Sequence, residues 1–349
     1  MSVRIGFIGV GGIAQSHLSG LLTLPEAEIV ALCDISRQQV EKAVERFNKE
    51  AVGKEPAGRK LEAAIYDDYR QMLRREKLEA VFICLPPFVH GEVEEAVIEA
   101  SLPFLVEKPV ALSLSLAGKI LDGVLKKELI TTVGYQLRCG SFMDKARAAL
   151  AGKTVAAIVA NRFGRTPGVS WYHRQDKSGG QLVEQATHQV DMLRYLVGEV
   201  DTVYAAAATR INNKDNPEYD IFDSNCMTMT FACGAVGNFG NGTMAHVGVP
   251  PGLNGVHIFG DNVQVTIGGN LRIATPDGVT EEPLDKDMMV RQDSAFLKAV
   301  AENDPTLIRS DYLSGVRTLA VTLAGEKSAR TGQPVKVADL LAAEAPAAL

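Results

Sequence analysis

Two glycines and an alanine stand in the spacing Gly-x-Gly-x-x-Ala directly after the apolar run Val3–Ile8. Gly9 allows the chain to turn tightly, and Gly11 leaves its backbone open to a pyrophosphate. Ala14 permits close packing of the next helix, whose first N–H groups would face the phosphates. The alternative is a tight glycine turn without a ligand. We predict a dinucleotide-binding turn made of Gly9, Gly11, Gly12, Ile13 and Ala14.

An acidic residue follows the second apolar run at the distance expected of a ribose-binding carboxylate. Asp34 ends the run 28–33, about 20 residues after the glycine turn. A carboxylate here accepts a hydrogen bond from the ribose 2′-hydroxyl and repels a 2′-phosphate, which favours NAD over NADP. Arg37 follows closely and is able to pair with such a phosphate, so NADP is the alternative cofactor. We predict that both residues contact the cofactor.

A proline-containing segment, 85–90, follows the fourth strand candidate. Ligands of open α/β sheets bind outside the carboxyl ends of the strands, and prolines stiffen a loop there. We therefore predict that Leu85, Pro86 and His90 line the cofactor. For His90 the alternative is an ordinary strand-to-helix turn.

The fifth strand candidate, 103–106, leads directly into Glu107-Lys108-Pro109. Lysine is unusual at a buried strand end unless it is used or paired. At this edge of the sheet Lys108 would point toward the nicotinamide, and its two neighbours would also border the cofactor. The alternative is an ordinary surface lysine.

The segment 181–198 is predicted to be one helix that carries a cluster of ionisable side chains. Glu184, His188 and Asp191 stand at positions i, i+4 and i+7, on one helical face. Two acids beside an imidazole are able to tune it for acid–base catalysis. The alternative is a hydrogen-bonded histidine that only packs.

Composition argues against several classes of function. The chain has 349 residues and a net charge of −6, without the basic surface typical of nucleic-acid binding. Its five cysteines form no C-x-x-C pair, and its six histidines lack zinc-binding spacing, so no metal is expected. No apolar stretch has the ~20 residues needed to cross a bilayer. These features predict a cytoplasmic protein with reduced thiols.

The order of elements predicts two domains. Before residue 130, strand candidates (3–8, 28–33, 62–66, 79–84, 103–106) alternate with helix candidates (12–22, 36–50, 68–75, 89–100, 114–127), and 51–61 is predicted to be a loop. Alternation indicates an α/β fold with a doubly wound parallel sheet. After residue 150 strands follow one another, at 155–163, 202–211, 225–232, 234–245, 256–267 and 270–274, with helices at 180–197, 289–302 and 310–330.

Consecutive strands predict an α+β domain whose sheet, of about six strands, is open and mainly antiparallel. A final short strand is predicted at 335–337. The predicted division is a dinucleotide-binding domain, 1–130, and a substrate-binding and oligomerisation domain, 131–349.

The chain resembles the Gfo/Idh/MocA oxidoreductases, which include inositol dehydrogenases and glucose-fructose oxidoreductase. Matching blocks run over nearly the whole chain: GFIGVGGIAQSHL, VEKPVALS, VGYQLR, GGQLVEQATHQVDMLRYLVGEV and SARTGQPVKV. The resemblance implies an N-terminal Rossmann domain and a second domain whose open sheet forms a dimer interface. A homodimer or homotetramer is therefore expected.

The resemblance also implies hydride transfer between a nicotinamide and the CH–OH or C=O carbon of a sugar, polyol or inositol-like substrate. In the family, the lysine and histidine that match Lys108 and His188 flank the reacting carbon. Glu184 stands where the family commonly has Asp, and Asp191 matches a second family acid. The further substrate-binding residues predicted are Gln136, Arg138, Trp171 and Tyr172, the last two as an apolar face for a sugar ring. For Trp171 the alternative is a residue that only anchors its loop.

Three other functions stay open at this point. The chain is alternatively a reductase of a non-sugar carbonyl, an enzyme acting on nucleotide-linked sugars, or a non-catalytic dinucleotide sensor. A sensor need not keep the pair Lys108 and His188, and this chain has both. The fold constrains the chemistry better than it constrains the substrate.

Overall fold

The computed structural model describes residues 2–51, 59–214 and 216–349, so most of the loop predicted at 51–61 lies outside the described residues. The chain forms two compact units, each assembled from separate segments. Unit 1 comprises Met1–Val110, Lys119–Cys139 and Asp287–Gly315, and unit 2 comprises Ala111–Gly118, Gly140–Lys286 and Val316–Leu349.

The elements are numbered along the chain. The strands are β1 Val3–Ile8, β2 Ala27–Cys33, β3 Ala64–Tyr66, β4 Ala80–Ile83, β5 Phe104–Val106, β6 Thr131–Val133, β7 Val155–Phe163, β8 Val200–Ala208, β9 Ser224–Phe231, β10 Val236–Gly242, β11 Gly255–Gly260, β12 Val263–Ile267, β13 Asn270–Thr275, β14 Gly278–Pro283 and β15 Val335–Lys336. The helices are α1 Gly12–Leu21, α2 Arg37–Ala51, α3 Tyr69–Arg75, α4 Glu92–Glu99, α5 Leu114–Lys126, α6 Ser141–Leu150, α7 Gln175–Ser178, α8 Gln181–Glu184, α9 Thr187–Val197, α10 Met288–Glu302, α11 Tyr312–Thr331 and α12 Val337–Glu344. None of the helices within the described ranges is long and apolar enough to cross a membrane.

The sheet of unit 1 is parallel, with strand order β3-β2-β1-β4-β5-β6. This order confirms the predicted doubly wound fold, whose direction of winding reverses between β1 and β4. All four residues of β4 are buried, as expected for a strand covered on both faces. Strand β6 was not predicted, because three residues carry too little pattern to mark a strand.

Helix α10 belongs to unit 1 although it lies far along the chain from the other elements of that unit. Its Phe296 packs edge-on against Phe82 of β4, with ring centroids 5.6 Å apart, in the same core as Phe7 and Leu18. The predicted boundary near residue 130 differs from the observed division for this reason. An amphipathic pattern identifies a helix but not the core on which it packs.

The sheet of unit 2 has the strand order β14-β13-β12-β11-β7-β10-β9-β8-β15, in which only β7 and β10 pair in parallel. The mainly antiparallel sheet is confirmed, but it has more strands than the six expected. The run predicted as one strand, 256–267, is a hairpin of β11 and β12. Asn262 adopts a left-handed conformation (φ 56°) in its turn, which asparagine tolerates well.

The single helix predicted at 180–197 is two helices, α8 and α9. Both Gln185 and Ala186 donate their backbone N–H to the carbonyl of Gln181, at 3.1 and 2.9 Å. The second bond spans five residues, so it inserts one extra residue into the turn. Glu184 and His188 therefore do not share one regular helical face, and that prediction was wrong.

Candidate active site

The glycine turn after β1 is fixed by sterics at its first position. Gly9 has a φ of +89°, and a Cβ added there would lie 2.3 Å from the carbonyl oxygen of Cys84. The N–H of Gly9 donates to the carbonyl of Cys33 at 2.8 Å. The turn is thus held between the ends of β2 and β4, and only glycine fits.

The next two glycines of the turn face open space. A Cβ added at Gly11 or at Gly12 would meet no other atom within 4 Å. Gly11 caps α1 with extended backbone, and no side chain accepts from the first N–H groups of that helix. These groups are therefore available to an anion, as a dinucleotide phosphate requires.

Asp34 is held against the glycine turn by backbone N–H groups. Its Oδ2 accepts from Val10 and its Oδ1 accepts from Ser36, each at 2.9 Å. Oδ2 also accepts from the side-chain amide of Gln39 at 3.5 Å. Oδ1 keeps a second lone pair, so the carboxylate is still able to accept from a ribose hydroxyl. Arg37 instead forms an exposed ion pair with Glu41 at 3.0 Å.

A cavity of about 510 Å³ lies beside the turn, and helix α2 forms much of its wall. Its lining residues are Gly11, Gly12, Gln15, Ser36, Gln38, Gln39, Lys42, Ala43 and Arg46. The residues of α2 in this lining were not predicted. Their spacing could have indicated a shared surface, because Gln39, Lys42 and Arg46 stand at i, i+3 and i+7, on one face of a helix. Open glycines, a carboxylate and a cavity with cationic residues fit the phosphates and adenosine of a dinucleotide.

The loop after β4 places His90 in a buried position. Its Nδ1 contacts Glu94, whose Oε2 accepts from the N–H of Gly91 at 2.6 Å. Burial alone raises the pKa of Glu94, but the charge and hydrogen bond of His90 outweigh it and lower that pKa. The Nε2 of His90 is buried and has no hydrogen-bond partner among the residues that the structure describes. The side chain of Leu85 lies against Gly9.

Glu107 and Lys108 follow β5 at the same edge of the sheet. Glu107 is buried, and its Oε2 accepts from the backbone N–H of Lys108 at 3.2 Å. Lys108 is half-buried, and the bond between Lys108 and Pro109 is cis. The other carboxylate oxygen of Glu107 lies 3.1 Å from the Nε2 of His17, which the sequence analysis did not single out.

Gln136 and Arg138 lie in a short 3₁₀ turn, Gln136–Cys139, which follows β6. Arg138 is buried and donates to the carbonyl of Arg309 at 2.8 Å, while Arg309 donates back to the carbonyl of Arg138 at the same distance. This exchange ties the turn to the segment that precedes α11.

In unit 2, the aromatic pair predicted to face a sugar is placed differently. Tyr172 is 0% exposed, packs with Tyr219 and Ile221, and donates to Gln181. Burial, and then the charge of Glu184, raise the pKa of Tyr172 well above its usual range. Its ring is thus enclosed in a small apolar cluster of unit 2 and offers no face to a ligand, in contrast to the prediction. Trp171 packs on this cluster and is half-buried.

A chain of polar side chains surrounds the junction of α8 and α9. Glu184 is buried and accepts from the amide of Gln185, whose Oε1 accepts from Arg162 at 3.2 Å. His188 follows in the first turn of α9 and is half-buried. Arg162 and Gln185 were not predicted. Glutamine beside the glutamate gave no spacing signal, and the arginine comes from a distant strand.

Asp191 follows His188 on α9 and lies in the interior of unit 2. It is 1% exposed, and its Oδ1 accepts from Thr318 of α11 at 2.9 Å. Arg194 donates to the same threonine at 2.6 Å. The contact shows a buried network between α9 and α11. Among the described residues, no group of three or more His, Cys, Asp or Glu side chains is placed to hold a metal ion.

Two family models match the chain. Residues 3–135 match the oxidoreductase family with an NAD-binding Rossmann fold, and residues 145–266 match the Gfo/Idh/MocA C-terminal domain. The chain belongs to the Gfo/Idh/MocA oxidoreductase family. Unit 1 of this oxidoreductase is therefore an NAD-binding Rossmann unit, and the resemblance found in the sequence motifs is confirmed.

The relatives of this oxidoreductase include dehydrogenases of inositols and sugars. Myo-inositol 2-dehydrogenase of Thermotoga maritima is 24% identical over 354 residues, which cover 97% of this chain and 100% of the relative. An Agrobacterium radiobacter oxidoreductase, solved with NAD⁺, L-tartaric acid and magnesium, superposes with a TM-score of 0.83 at 17% identity, covering 98% and 100%. Levoglucosan dehydrogenase, solved with NADH, gives 0.81 at 20% identity, covering 97% and 99%.

Proposed function

We propose that this oxidoreductase transfers a hydride between the CH–OH carbon of a cyclic polyol or sugar and NAD. The position of Lys108 carries the proposal. Strands β1, β2, β4 and β5 are neighbours in one parallel sheet, so the residues that follow them share one edge. Those residues are Gly9, Asp34, Leu85 and Lys108. A positively charged side chain at this edge of the sheet is suited to stabilising negative charge on a reacting oxygen beside the cofactor.

NAD supplies the hydride acceptor when it is bound. The ammonium of Lys108 would donate a hydrogen bond to the substrate oxygen and stabilise its alkoxide character. The imidazole of His188 would take the hydroxyl proton as a general base. In the reverse direction His188 returns this proton to the oxygen.

The polar chain of unit 2 suits a substrate with several hydroxyl groups. Glu184 would accept from a hydroxyl, and the guanidinium of Arg162 would donate to one. Gln185 holds both of these side chains in place. We assign Asp191 a supporting role, because its side chain is buried and its Oδ1 accepts from Thr318 inside unit 2.

The proposal is tested with a panel of purified substrates. Myo-inositol, scyllo-inositol, glucose, levoglucosan and L-tartrate are each incubated with NAD, and the absorbance of the reduced nicotinamide is followed. We expect a cyclic polyol or sugar to be oxidised with saturation. Oxidation of tartrate alone, or reduction only of non-sugar carbonyls by NADH, would contradict the assigned substrate class.

Calorimetric titration is expected to show at least about tenfold tighter binding of NAD than of NADP, which corresponds to about 1.4 kcal/mol. The reason is that the carboxylate of Asp34 repels a 2′-phosphate. Asp34→Ser should reduce this preference. Arg37→Gln is the matched control and should change little, because Arg37 is paired with Glu41. Equal affinity of the wild type for both cofactors would contradict the prediction.

We also propose that the chain forms a homodimer or homotetramer through the exposed face of the unit 2 sheet. Cross-strand neighbours form a row on this face: Tyr204, Thr228, Asn238, Val159 and His257. A second row contains Thr202, Thr230, Val236, Ala157 and Phe259. From β8 to β11 neither row contains Asp, Glu, Lys or Arg, and Tyr204, Val159, Val236 and Phe259 are exposed. The part of this face from β8 to β11 is thus uncharged and carries exposed large apolar side chains, which suits association, while Arg272, Glu281 and Lys336 stand further along the same two rows.

Lysines placed in the middle of this face should separate the subunits. The double variant Val159→Lys and Tyr204→Lys is expected to sediment at micromolar concentration as a 37.5 kDa monomer, and the wild type as a larger species. The free energy needed to bury two unpaired ammonium groups exceeds the stabilisation that the apolar contact provides. Glu45→Lys, on the exposed side of α2, changes charge elsewhere and should leave the assembly intact. A wild type that sediments as a monomer rejects the interface.

A further inference from the structure

A buried histidine joins three elements of unit 1. His17 of α1 is 0% exposed, and both of its ring nitrogens face carboxylates. Its Nδ1 lies 2.9 Å from both oxygens of Asp293 on α10, and its Nε2 lies 3.1 Å from Oε1 of Glu107 after β5. The proposed function gives this cluster no task.

The contacts require a doubly protonated ring when both carboxylates are ionised, because each then only accepts hydrogen bonds. Burial lowers the pKa of His17, but the charges and hydrogen bonds of Asp293 and Glu107 outweigh it and raise the pKa from 6.5 to about 10. Burial raises the pKa of Asp293 although His17 opposes this. Cys84, which follows β4, is a further titratable group close to Glu107 and Asp293. Burial and the same carboxylates raise its pKa, so that it stays a neutral thiol.

Glu107 has little freedom to move. Its backbone N–H donates to the carbonyl of Ile83 at 2.9 Å, and its Oε2 accepts from the N–H of Lys108 at 3.2 Å. A Cβ added at Gly134 would lie 2.3 Å from Oε1 of Glu107, so the carboxylate lies directly on that glycine. With His17 on the remaining side, the direction in which the chain leaves β5 at Lys108 is fixed.

We propose that His17, held by Asp293, is a positioning residue that fixes Lys108 through Glu107 and ties it to the helix that begins at the dinucleotide turn. The inference depends on the proposed role of Lys108 in hydride transfer. His17 touches neither the substrate nor the reacting atoms in this account. Loss of its charge leaves two adjacent buried carboxylates, which repel each other and displace the residue after β5.

The first experiment compares two substitutions at adjacent buried positions of α1. His17→Gln is expected to lower kcat by about 10- to 100-fold, because a misplacement of about 1 Å has an effect of this size. Its affinity for NAD, measured by calorimetry, should stay within about threefold, which is less than 1 kcal/mol. Leu18→Ala is the matched control: Leu18 is 0% exposed, so its variant loses stability. That control should keep the wild-type kcat.

Two more variants separate positioning from a merely structural role. The double variant His17→Gln and Asp293→Asn removes one positive and one negative charge, so it should recover much of the kcat lost in His17→Gln. In Asp293→Asn the pKa of His17 falls, because the largest contribution that raises it is lost. The decline of kcat with rising pH should then begin at a lower pH than in the wild type. If His17→Gln does not fold, the double variant and Asp293→Asn still test the proposal.

Nitrogen NMR of the His17 ring provides a readout that does not depend on activity. The ring should be doubly protonated at pH 8, and a neutral ring there would overturn the inference. Stability lost without loss of kcat, as in Leu18→Ala, would also overturn it. Lys108→Met is measured in parallel. Turnover that survives Lys108→Met removes the proposed role of Lys108, whereas turnover lost in Lys108→Met but kept in His17→Gln removes only the role of His17.

Discussion

Lys108→Met is expected to reduce the rate of hydride transfer by about 10²- to 10³-fold, the range typical of a lost hydrogen-bond donor to a developing oxyanion. Methionine has a similar length but donates no hydrogen bond, so the developing alkoxide loses its stabilising charge. Binding of NAD should change little. The phosphates and ribose are held by the glycine turn and by Asp34, which this substitution does not touch.

His188→Ala is expected to have an effect of the same order, because it removes the proposed general base. Lys108→Arg should also fail. The planar fork of a guanidinium does not reproduce the compact charge of an ammonium. The measurement is single-turnover hydride transfer, followed by the absorbance of the reduced nicotinamide, beside the calorimetric affinity for NAD.

The competing interpretation is that Lys108 and His188 only support the fold. In that case each variant would lose thermal stability and NAD affinity together, and the protein that remains folded would transfer hydride at a near-normal rate. Such a rate in either variant removes that residue from the proposed mechanism. Lys119→Met on α5 is a surface control, since Lys119 is exposed and pairs with Glu95 at 2.6 Å.

The cofactor unit was predictable because its signals are local. The strand β1, the turn from Gly9 to Ala14 and Asp34 follow one another within one β-α-β unit, so spacing alone identifies them. The structure shows two features of the cofactor unit that the spacing does not predict. Asp34 also closes the turn by accepting from Val10 and Ser36, and α2 contributes a cationic wall.

The parts that were missed depend on contacts distant in sequence or on one unusual hydrogen bond. His17 and Asp293 are separated by 276 residues, so no motif joins them. The break between α8 and α9 comes from the bond of Ala186 to Gln181, and apolar periodicity does not reveal it. Tyr172 is of a residue type that often lines ligand sites, yet it is buried by side chains from a later loop.

Replacing Gly9 or Gly11 by alanine is expected to change different properties, the stability of the protein in the first case and its affinity for NAD in the second. Gly9→Ala should destabilise the protein without cofactor by at least about 2 kcal/mol. The left-handed backbone alone costs about 1–3 kcal/mol for such a residue, and the clash with the carbonyl of Cys84 adds to it. Thermal unfolding without NAD measures this loss.

Gly11→Ala should leave that stability nearly unchanged, because its Cβ would meet nothing within 4 Å. The methyl group would instead occupy the open side of the turn, where the phosphates approach the N-terminus of α1. NAD affinity should therefore fall by about tenfold or more, equivalent to about 1.4 kcal/mol. If Gly11→Ala binds NAD as the wild type does, the phosphates do not approach at this glycine. If Gly9→Ala keeps its stability, the steric account of the turn is wrong.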